Sequence, residues 1–259
     1  ENFHPDSFLG VFVGMALYGA LERKWKLYAV FVVLSLLVKE DVSLVVVPLG
    51  VFVAIRRDRR IGLITVFGSL WFMFTAMYVV MRGLIGQPTL NAGRSPFGRP
   101  GDGTGTAVRR LIDTTVTNPT QLADHLRAEN RPWYLWQMTS PFAWLFVRLP
   151  SVAAISALVL FTNVLSTFWY QFQVQYHYAL VAVPALAIGT VHALGAIRGR
   201  VEVSSVDLSV PMRSVAVGAM AVSSLVTATM WSPMPWGRTD LYYGDPTNSY
   251  AESMRELIA

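Results

Sequence analysis

Long apolar runs without a recurring polar face limit this chain to a membrane fold. The clearest of them read SFLGVFVGMALYGAL, LYAVFVVLSLLV, IGLITVFGSLWFMFTAMYVVM and YALVAVPALAIGTVHALGAI. A helix on the surface of a soluble protein would instead show a polar stripe along one side. Charged residues make up only 14% of the chain, whereas soluble domains carry about a quarter. We therefore predict an all-α, polytopic transmembrane protein of the plasma membrane.

The runs predict about eight membrane spans, since a helix needs about 20 residues to cross the hydrocarbon core. We place them near residues 7–22, 26–38, 42–55, 61–83, 134–148, 150–166, 178–196 and 213–230. The chain then divides into transmembrane helices over 1–83, an extracytoplasmic loop over 84–133, further transmembrane helices over 134–230 and an extracytoplasmic segment over 231–259. Because the sequence starts at Glu1 directly in a motif-like segment, we expect an internal piece of a longer protein.

Basic residues lie in short clusters at the ends of apolar runs: ERKWK (22–26), RRDRR (56–60) and RGR (198–200). Under the positive-inside rule this placement is typical of cytoplasmic loops. The sequence lacks a basic face interleaved with aromatic residues, so it does not indicate nucleic-acid binding. One long tilted helix over 26–55 would separate the first two clusters across the membrane. A turn at Lys39-Glu40-Asp41 keeps both on the cytoplasmic side, so we favour the turn. The absence of cysteine excludes disulfides and thiolate chemistry.

The loop 84–133 is too long to be a plain connector, and its two halves differ. The first half is rich in Gly and Pro, which is typical of irregular structure. The second half predicts two short amphipathic helices near 105–117 and 119–128, with Asn118 as the N-cap of the second. These helices either lie on the outer leaflet, cover a cavity or pack as a small extramembrane subdomain.

Three consecutive charges, Lys39, Glu40 and Asp41, interrupt the apolar stretch LLVKEDVSLVV. An ionised side chain at membrane depth costs several kcal/mol unless it is paired or faces a wet cavity. Glu40 and Asp41 are candidate ligands of a divalent cation such as Mg²⁺ or Mn²⁺, or one of them is a candidate general base. Lys39 is a candidate partner for a phosphate. The alternative is a structural knot, in which Lys39 pairs with one carboxylate and an arginine pairs with the other.

Two further segments carry polar side chains on the same predicted face of the membrane. His4 and Asp6 in ENFHPDS are candidates for acid/base or metal chemistry, unless Asp6 simply caps the following helix. Gln175, Tyr176 and His177 in QFQVQYHYAL are candidates for binding a sugar or phosphate headgroup, or for anchoring a helix at the interface. The sequence has no P-loop, nucleophile-elbow or zincin motif.

These segments resemble the signatures of a bacterial and archaeal family of membrane proteins, catalogued as domain of unknown function twenty seventy-nine. The resemblance rests on FHPDSF before an apolar helix, on LLVKEDVSLVV, and on the glycine that follows RRDRR. It rests further on a Leu-Pro, an Asn-x-Leu-Ser and an aromatic-His-Tyr pattern within residues 149–178. It covers most of residues 1–200.

That family is similar to the GT-C glycosyltransferases, which take a sugar from a polyprenyl-phosphate carrier on the non-cytoplasmic face. The resemblance implies an outward-facing active site, often with a divalent metal, and an acidic base in the first external loop. In this chain that loop would lie upstream of Glu1. The signature positions that the chain does contain are His4, Asp6, Lys39, Glu40, Asp41, Tyr176 and His177.

We therefore expect a GT-C-like transferase of sugars from a polyprenyl-phosphate donor, with membrane lipids as its other partners. In this hypothesis Glu40 and Asp41 bind metal or activate the acceptor, and Lys39 holds the phosphate. His4 and Asp6 complete the catalytic set, and residues 175–177 line the donor headgroup. The alternatives are a transporter or lipid-handling protein that uses the charged turn as an ion or proton relay, and a non-catalytic scaffold subunit.

Overall fold

The computed structural model describes residues 5–85, 97, 104–174, 176–203 and 208–231, which fold mainly into helices. The α-helices are α1 (Leu9–Leu21), α2 (Trp25–Val38), α3 (Ser43–Arg56), α4 (Arg59–Phe74), α5 (Arg82–Ile85), α6 (Thr104–Thr117), α7 (Pro119–Arg127), α8 (Arg131–Thr139), α9 (Pro150–Ala153), α10 (Ala157–Leu165), α11 (Val183–Ala196) and α12 (Met212–Trp231). Helix α4 continues as a π-helical segment over Thr75–Met81. A short antiparallel hairpin pairs β1 (Arg200–Val203) with β2 (Leu208–Pro211).

Helices α1 to α4 form two antiparallel hairpins whose helices approach through glycine. A side chain at Gly19 would come within 2.8 Å of the backbone nitrogen of Tyr28, so α1 and α2 touch there without an intervening side chain. Gly50 of α3 and Gly62 of α4 make a similar contact. The turn into α4 is fixed by Asp58, whose carboxylate accepts a hydrogen bond from the Ile61 backbone N–H at 2.9 Å. Small residues at such positions let apolar helices pack closely, which is how helices associate in a membrane.

The chain doubles back at the charged turn, as the sequence predicts. Helix α2 ends at Val38, Lys39 adopts an extended conformation (φ −162°, ψ 145°), and a 3₁₀ turn over Glu40–Val42 leads into α3. Near the start of α2 the Tyr28 hydroxyl donates to Thr65 of α4 at 2.9 Å. At the far end Ser43, the first residue of α3, donates to the Ser69 carbonyl of α4. Helices α2 and α4 are therefore parallel, and α3 runs back between the two turns.

This arrangement brings the basic segments 22–26 and 56–60 to one end of the helices and the charged turn to the other. We call these the basic end and the cluster end. The sequence-based choice of a turn over one long helix is confirmed, because α2 and α3 are separate helices of opposite direction. The two ends of the fold thus differ in charge and chemistry.

The second half of the chain packs against α1 through α11. Gly14 of α1 lies opposite Pro184 of α11, 3.7 Å from where a side chain would begin. The buried hydroxyl of Ser156, between α9 and α10, donates to the carbonyl of Ala182 at 2.6 Å. This hydrogen bond joins the α9–α10 segment to the residue that precedes α11. A continuous apolar core includes residues from α1, α2, α3, α10 and α11. The segment before α11, a 3₁₀ turn over His177–Ala182, is thereby held at the cluster end.

The predicted number of eight spans is not confirmed. Among the residues that the structure describes, three helices are long and apolar enough to cross a membrane: Arg59–Met81, His177–Ala196 and Met212–Met230. They coincide with the spans predicted near 61–83, 178–196 and 213–230. Three shorter apolar helices, Pro5–Leu21, Trp25–Val38 and Pro150–Leu165, coincide with three further predictions but fall below a full bilayer crossing.

The span predicted at 134–148 is wrong as a continuous helix. Helix α8 ends at Thr139, and two 3₁₀ turns follow over Ser140–Phe142 and Leu145–Arg148. Pro141 lacks the N–H that would continue the helix, and its ring clashes with the preceding turn. Ala143 and Trp144 then adopt left-handed conformations with φ of 48° and 53°, which interrupt the helix.

The loop 84–133 contains the two predicted amphipathic helices, which are α6 and α7. The side chain of Asn118 caps α7 by accepting a hydrogen bond from the Gln121 N–H, and Pro119 occupies the first turn. The Gly- and Pro-rich first half of the loop, apart from Phe97, lies outside the described residues, as does most of the segment predicted over 231–259. The described residues are mainly helical, as predicted, and the β-hairpin at 200–211 is an exception. Its sequence RVEV alternates as in a strand. Because this segment is short and lies between two apolar runs, the sequence analysis did not predict the strand.

Candidate functional site

Three segments that are distant in the sequence meet at the cluster end. Asp6 lies in a 3₁₀ turn before α1, Lys39 and Asp41 lie in the turn between α2 and α3, and His177 begins the 3₁₀ turn before α11. The Lys39 ammonium nitrogen lies 3.5 Å from Asp6 Oδ2 and 3.2 Å from Asp41 Oδ2. His177 Nε2 lies 3.0 Å from the same Asp6 oxygen. We call these four residues the charged cluster.

The local conformation of the charged turn explains how Lys39 reaches two carboxylates. The extended backbone at Lys39 turns its side chain away from the axis of α2, and the 3₁₀ turn that follows places Asp41 on the same side. Asp6 is 7% exposed and the Lys39 side chain is 25% exposed, so this pair is largely shielded from bulk water, whereas the Asp41 side chain is 37% exposed. Shielding strengthens an ion pair and makes an unpaired charge costly.

Asp6 holds both Lys39 and His177 through one oxygen. A carboxylate that binds one ring nitrogen of a histidine fixes the orientation of the ring. The Asp6–His177 pair has this form, and the His177 ring also lies 4.3 Å from the Tyr178 ring, centroid to centroid. The Tyr178 ring in turn lies 4.7 Å from the Lys39 nitrogen, as a cation–π contact requires.

The environment shifts the pKa of two groups of the charged turn, which lies outside the candidate spans. Burial lowers the pKa of the Lys39 ammonium, but the carboxylates of Asp41 and Asp6 outweigh burial and leave this pKa above its ordinary value. Burial raises the pKa of the Asp41 carboxyl by more than the Lys39 charge lowers it, and the nearby Glu40 raises it further. Lys39 is therefore charged at neutral pH, and Asp41 is a stronger base than an ordinary aspartate.

Aromatic rings flank the cluster on the side of residues 168–178. Tyr176 contacts Tyr170 edge to face with 4.6 Å between the ring centroids, and Trp169 with 5.7 Å. Trp169 and Tyr170 are stacked on each other at 4.1 Å. Trp169 is 42% exposed, so this group presents ring surface to the surroundings. We call Trp169, Tyr170 and Tyr176 the aromatic group.

The structure thus brings together four of the eight residues that the sequence singled out: Asp6, Lys39, Asp41 and His177. Glu40 lies beside the cluster, and Tyr176 belongs to the aromatic group next to it. His4 and Gln175 lie outside the described residues. The knot alternative is right that Lys39 pairs with one carboxylate of its own turn. The second partner of Lys39 is Asp6, so the Lys39 ammonium joins the carboxylates of Asp6 and Asp41.

The arrangement favours an ammonium over a divalent cation as the partner of these carboxylates. In the described part of the chain, no group of three or more His, Asp or Glu side chains has the geometry to hold a metal ion. The Lys39 nitrogen already lies within 3.5 Å of both Asp6 and Asp41. A second positive charge between Asp6 and Asp41 would be repelled by the Lys39 ammonium. Metal binding by Glu40 and Asp41 stays a prediction.

Two buried polar residues that the sequence analysis did not single out support this end of the fold. Arg131 is 2% exposed and donates to the carbonyls of Val164 and Ser166 at 2.9 and 3.1 Å. The Asn163 amide donates to the Tyr134 hydroxyl at 2.9 Å and to the Tyr178 carbonyl at 3.3 Å. Asn163 belongs to the quoted Asn-x-Leu-Ser pattern, which could have pointed to it. Arg131 in ENRPW is preceded by a loop and followed by aromatic residues, so its sequence context indicates an interfacial arginine rather than a buried one.

Comparison with known proteins identifies a family. A family model described as a predicted membrane protein, DUF2079, matches residues 1–237. No curated protein and no solved structure matches the chain significantly, so the similarity to GT-C enzymes stays a prediction. The match spans far more than half of the chain and agrees with its membrane-length helices. The chain therefore belongs to the DUF2079 family of membrane proteins.

Proposed function

We propose that this protein is a membrane glycosyltransferase that takes a sugar from a polyprenyl-phosphate donor, with the charged cluster as its acid/base centre. One observation carries the proposal: Asp6, Lys39, Asp41 and His177 converge from three separate segments at the end of an apolar helix bundle. A partly buried group of acids and bases there suits chemistry on a molecule with a polar head and a lipid tail. The resemblance to GT-C enzymes adds the donor class.

Asp41 is the proposed general base. Its side chain is 37% exposed, so a hydroxyl can reach it, and the partial loss of water around the carboxyl raises its pKa. The acceptor oxygen bonds to the anomeric carbon of the sugar, and the bond from that carbon to the phosphate oxygen breaks. The hydroxyl proton passes to Asp41, and polyprenyl phosphate leaves. Lys39 positions Asp41, and Asp6 positions His177.

The net charge of the cluster favours acid/base catalysis over phosphate binding as its role. Asp6 and Asp41 place two carboxylates around the single ammonium of Lys39, with Glu40 beside them. A phosphate needs positive charge that is not already neutralised. In this proposal an arginine of the loop 84–133 supplies that charge. The aromatic group offers ring faces against which a sugar can stack.

The opposite charges of the two ends support an extracytoplasmic position for the cluster in the plasma membrane. The basic segments 22–26 and 56–60 carry seven basic and two acidic residues, which favours the cytoplasm for their end. Because the chain has no cysteine, single cysteines can be introduced as labels. A membrane-impermeant maleimide should label Gln121→Cys in intact cells and label Lys26→Cys only after permeabilisation. The reverse pattern would place the cluster in the cytoplasm.

The activity test uses the purified protein in vesicles with radiolabelled sugars on polyprenyl phosphate and a panel of acceptors. Asp41→Asn should lower the rate of transfer by about 100-fold to 10,000-fold, the range expected for loss of a general base. Glu22→Gln removes an exposed carboxylate at the basic end and should leave the rate unchanged. Thermal melting of each variant separates loss of the base from loss of the fold. A folded Asp41→Asn protein with the rate of the wild type would remove Asp41 from the mechanism.

An ion- or proton-coupled transporter is the competing function, because two aspartates that share one lysine could exchange a proton. Transport predicts that an ion gradient drives flux through vesicles that contain the protein, and that Asp6→Asn and Asp41→Asn both abolish this flux. Such flux, together with no transfer from any labelled donor, would replace the glycosyltransferase. A scaffold subunit predicts neither transfer nor flux.

A further inference from the structure

An open apolar groove runs along α2 and α4 between the basic end and the cluster end. Its volume is about 520 Å³, and its lining extends from Trp25 and Ile61 to Leu37 and Phe72. From Trp25 to Leu37 the helix rises about 18 Å, which is close to the hydrocarbon depth of one leaflet, about half of the ~30 Å core. The groove therefore has the length of one lipid tail in one leaflet.

The walls of the groove are apolar side chains that no other part of the described structure covers. Val33, Leu37, Ile64 and Trp71 are 53, 67, 62 and 69% exposed. Contiguous exposed apolar surface of this kind marks a binding site or a membrane-facing surface. In a membrane protein the first occupant available to such a groove is lipid hydrocarbon.

The hydroxyl groups on the floor of the groove are satisfied within the protein. Tyr28 donates to Thr65 at 2.9 Å, Thr65 donates to the Ile61 carbonyl at 3.0 Å, and Ser69 donates to the Thr65 carbonyl at 2.6 Å. None of them requires a hydrogen-bond partner from the occupant. The groove accordingly suits a hydrocarbon chain rather than a polar ligand.

The basic segments 22–26 and 56–60 lie at one end of the groove, and their positive charge favours an anionic lipid headgroup there. Trp25 belongs to the segment 22–26, and Ile61 follows the segment 56–60 directly. Arg23, Lys24, Lys26, Arg59 and Arg60 are exposed there. The Nε atom of Arg57, in the same segment, is buried and lacks a hydrogen-bond acceptor among the described residues. A phosphate group at this point would lie among ammonium and guanidinium groups.

We propose that the groove binds one anionic glycerophospholipid of the leaflet at the basic end, with an acyl chain along α2 and α4 and the headgroup at the two basic segments. This inference is independent of the proposed glycosyltransferase activity, because it concerns the opposite end of the helices from the charged cluster. The bound lipid fills a surface that the chain leaves uncovered and joins the two helix hairpins.

Gly68 allows the groove to be blocked without disturbing the fold. It lines the groove, and a side chain added there would have no atom within 4 Å of its first carbon. Gly68→Phe therefore fills the space that the acyl chain would occupy. Gly218→Phe is the matched control, because Gly218 lies exposed on α12, away from the groove, and also has open space around it.

Native mass spectrometry of the purified protein with palmitoyl-oleoyl phosphatidylglycerol, or with phosphatidylcholine of the same chains, tests the proposal. The wild type and Gly218→Phe should retain one phosphatidylglycerol in preference to phosphatidylcholine. Gly68→Phe should lose this lipid. The double variant Arg59→Gln/Arg60→Gln should bind phosphatidylglycerol about 30-fold more weakly, since each charge near a membrane surface contributes about 1 kcal/mol.

Three results would overturn the proposal. One is equal retention of the two lipids by the wild type. Another is retention of phosphatidylglycerol by Gly68→Phe at the level of Gly218→Phe. The third is a change from dimer to monomer in Gly68→Phe, with no change in bound lipid, because the groove would then be occupied by a second copy of the chain. Melting curves for each variant ensure that the lipid is lost from a folded protein.

Discussion

Replacing Gly62 by alanine is expected to destabilise the protein strongly, although alanine normally strengthens a helix. A methyl group at Gly62 would lie 2.5 Å from both the Cα of Ala54 and the carbonyl oxygen of Gly50, and still closer to the Ala54 nitrogen. All three atoms belong to the backbone of α3, so no side-chain rotation can relieve the overlap. Helices α3 and α4 would have to separate, at a cost of about 3 kcal/mol.

Gly68 provides the control on the same helix. It has open space where Gly62 has backbone, so Gly68→Ala should leave stability unchanged or raise it by up to about 1 kcal/mol. The measurement is the free energy of unfolding in a detergent titration for both variants and the wild type. Equal stability of Gly62→Ala and Gly68→Ala would contradict the close approach of α3 and α4.

Replacing Arg131 by methionine is expected to cost about 4 kcal/mol, because it removes the donors that satisfy a set of buried acceptors. The guanidinium lies 4.4 Å above the Phe172 ring and donates to the Val164, Ser166 and Ala128 carbonyls. A methionine fills part of the space but leaves the buried Val164 and Ser166 carbonyls without the guanidinium and Glu129 without its ion-pair partner. The variant should show a markedly lower melting temperature than the wild type.

Two further variants separate the geometry of Arg131 from its charge. Arg131→Lys keeps the positive charge but loses the planar fork that reaches several carbonyls at once, so it should recover only part of the lost stability. Arg127→Met removes an exposed arginine from α7 and should be nearly neutral. Full stability of Arg131→Lys would show that the charge alone matters. An Arg131→Met protein as stable as Arg127→Met would contradict the buried contacts.

The features that the sequence predicted correctly are those governed by local chemistry. Lys39, Glu40 and Asp41 are too costly within apolar surroundings to lie in mid-helix, so they indicate the turn that the structure contains. Asn118 and Pro119 are strong signals for the start of a helix, and α7 begins there. The convergence of Asp6 with Lys39 followed from their predicted position on one face of the membrane. The pairing distances and the contact to His177 required the fold.

The features that the sequence did not predict depend on contacts between distant residues. The apolar composition of 134–148 fits a membrane span, but Pro141 and two left-handed residues end the helix within it. Arg131 is buried because carbonyls at the end of α10 are within its reach, which no local pattern indicates. The hairpin β1–β2 is too short for its alternation to stand out between α11 and α12.

The order of the segments along the chain has a consequence for biogenesis. Helices α1 to α4 contact their neighbours in sequence, so this quarter of the protein can assemble while the ribosome is still making the rest. Lys39 finds Asp6 and Asp41 within this early unit, and the three ions can therefore be inserted as a paired set rather than as separate charges. His177 lies far beyond α4 in the sequence, so it joins only after the first four helices have been synthesised. The charged cluster is therefore assembled in two stages, and its histidine is added after its three ions have already met.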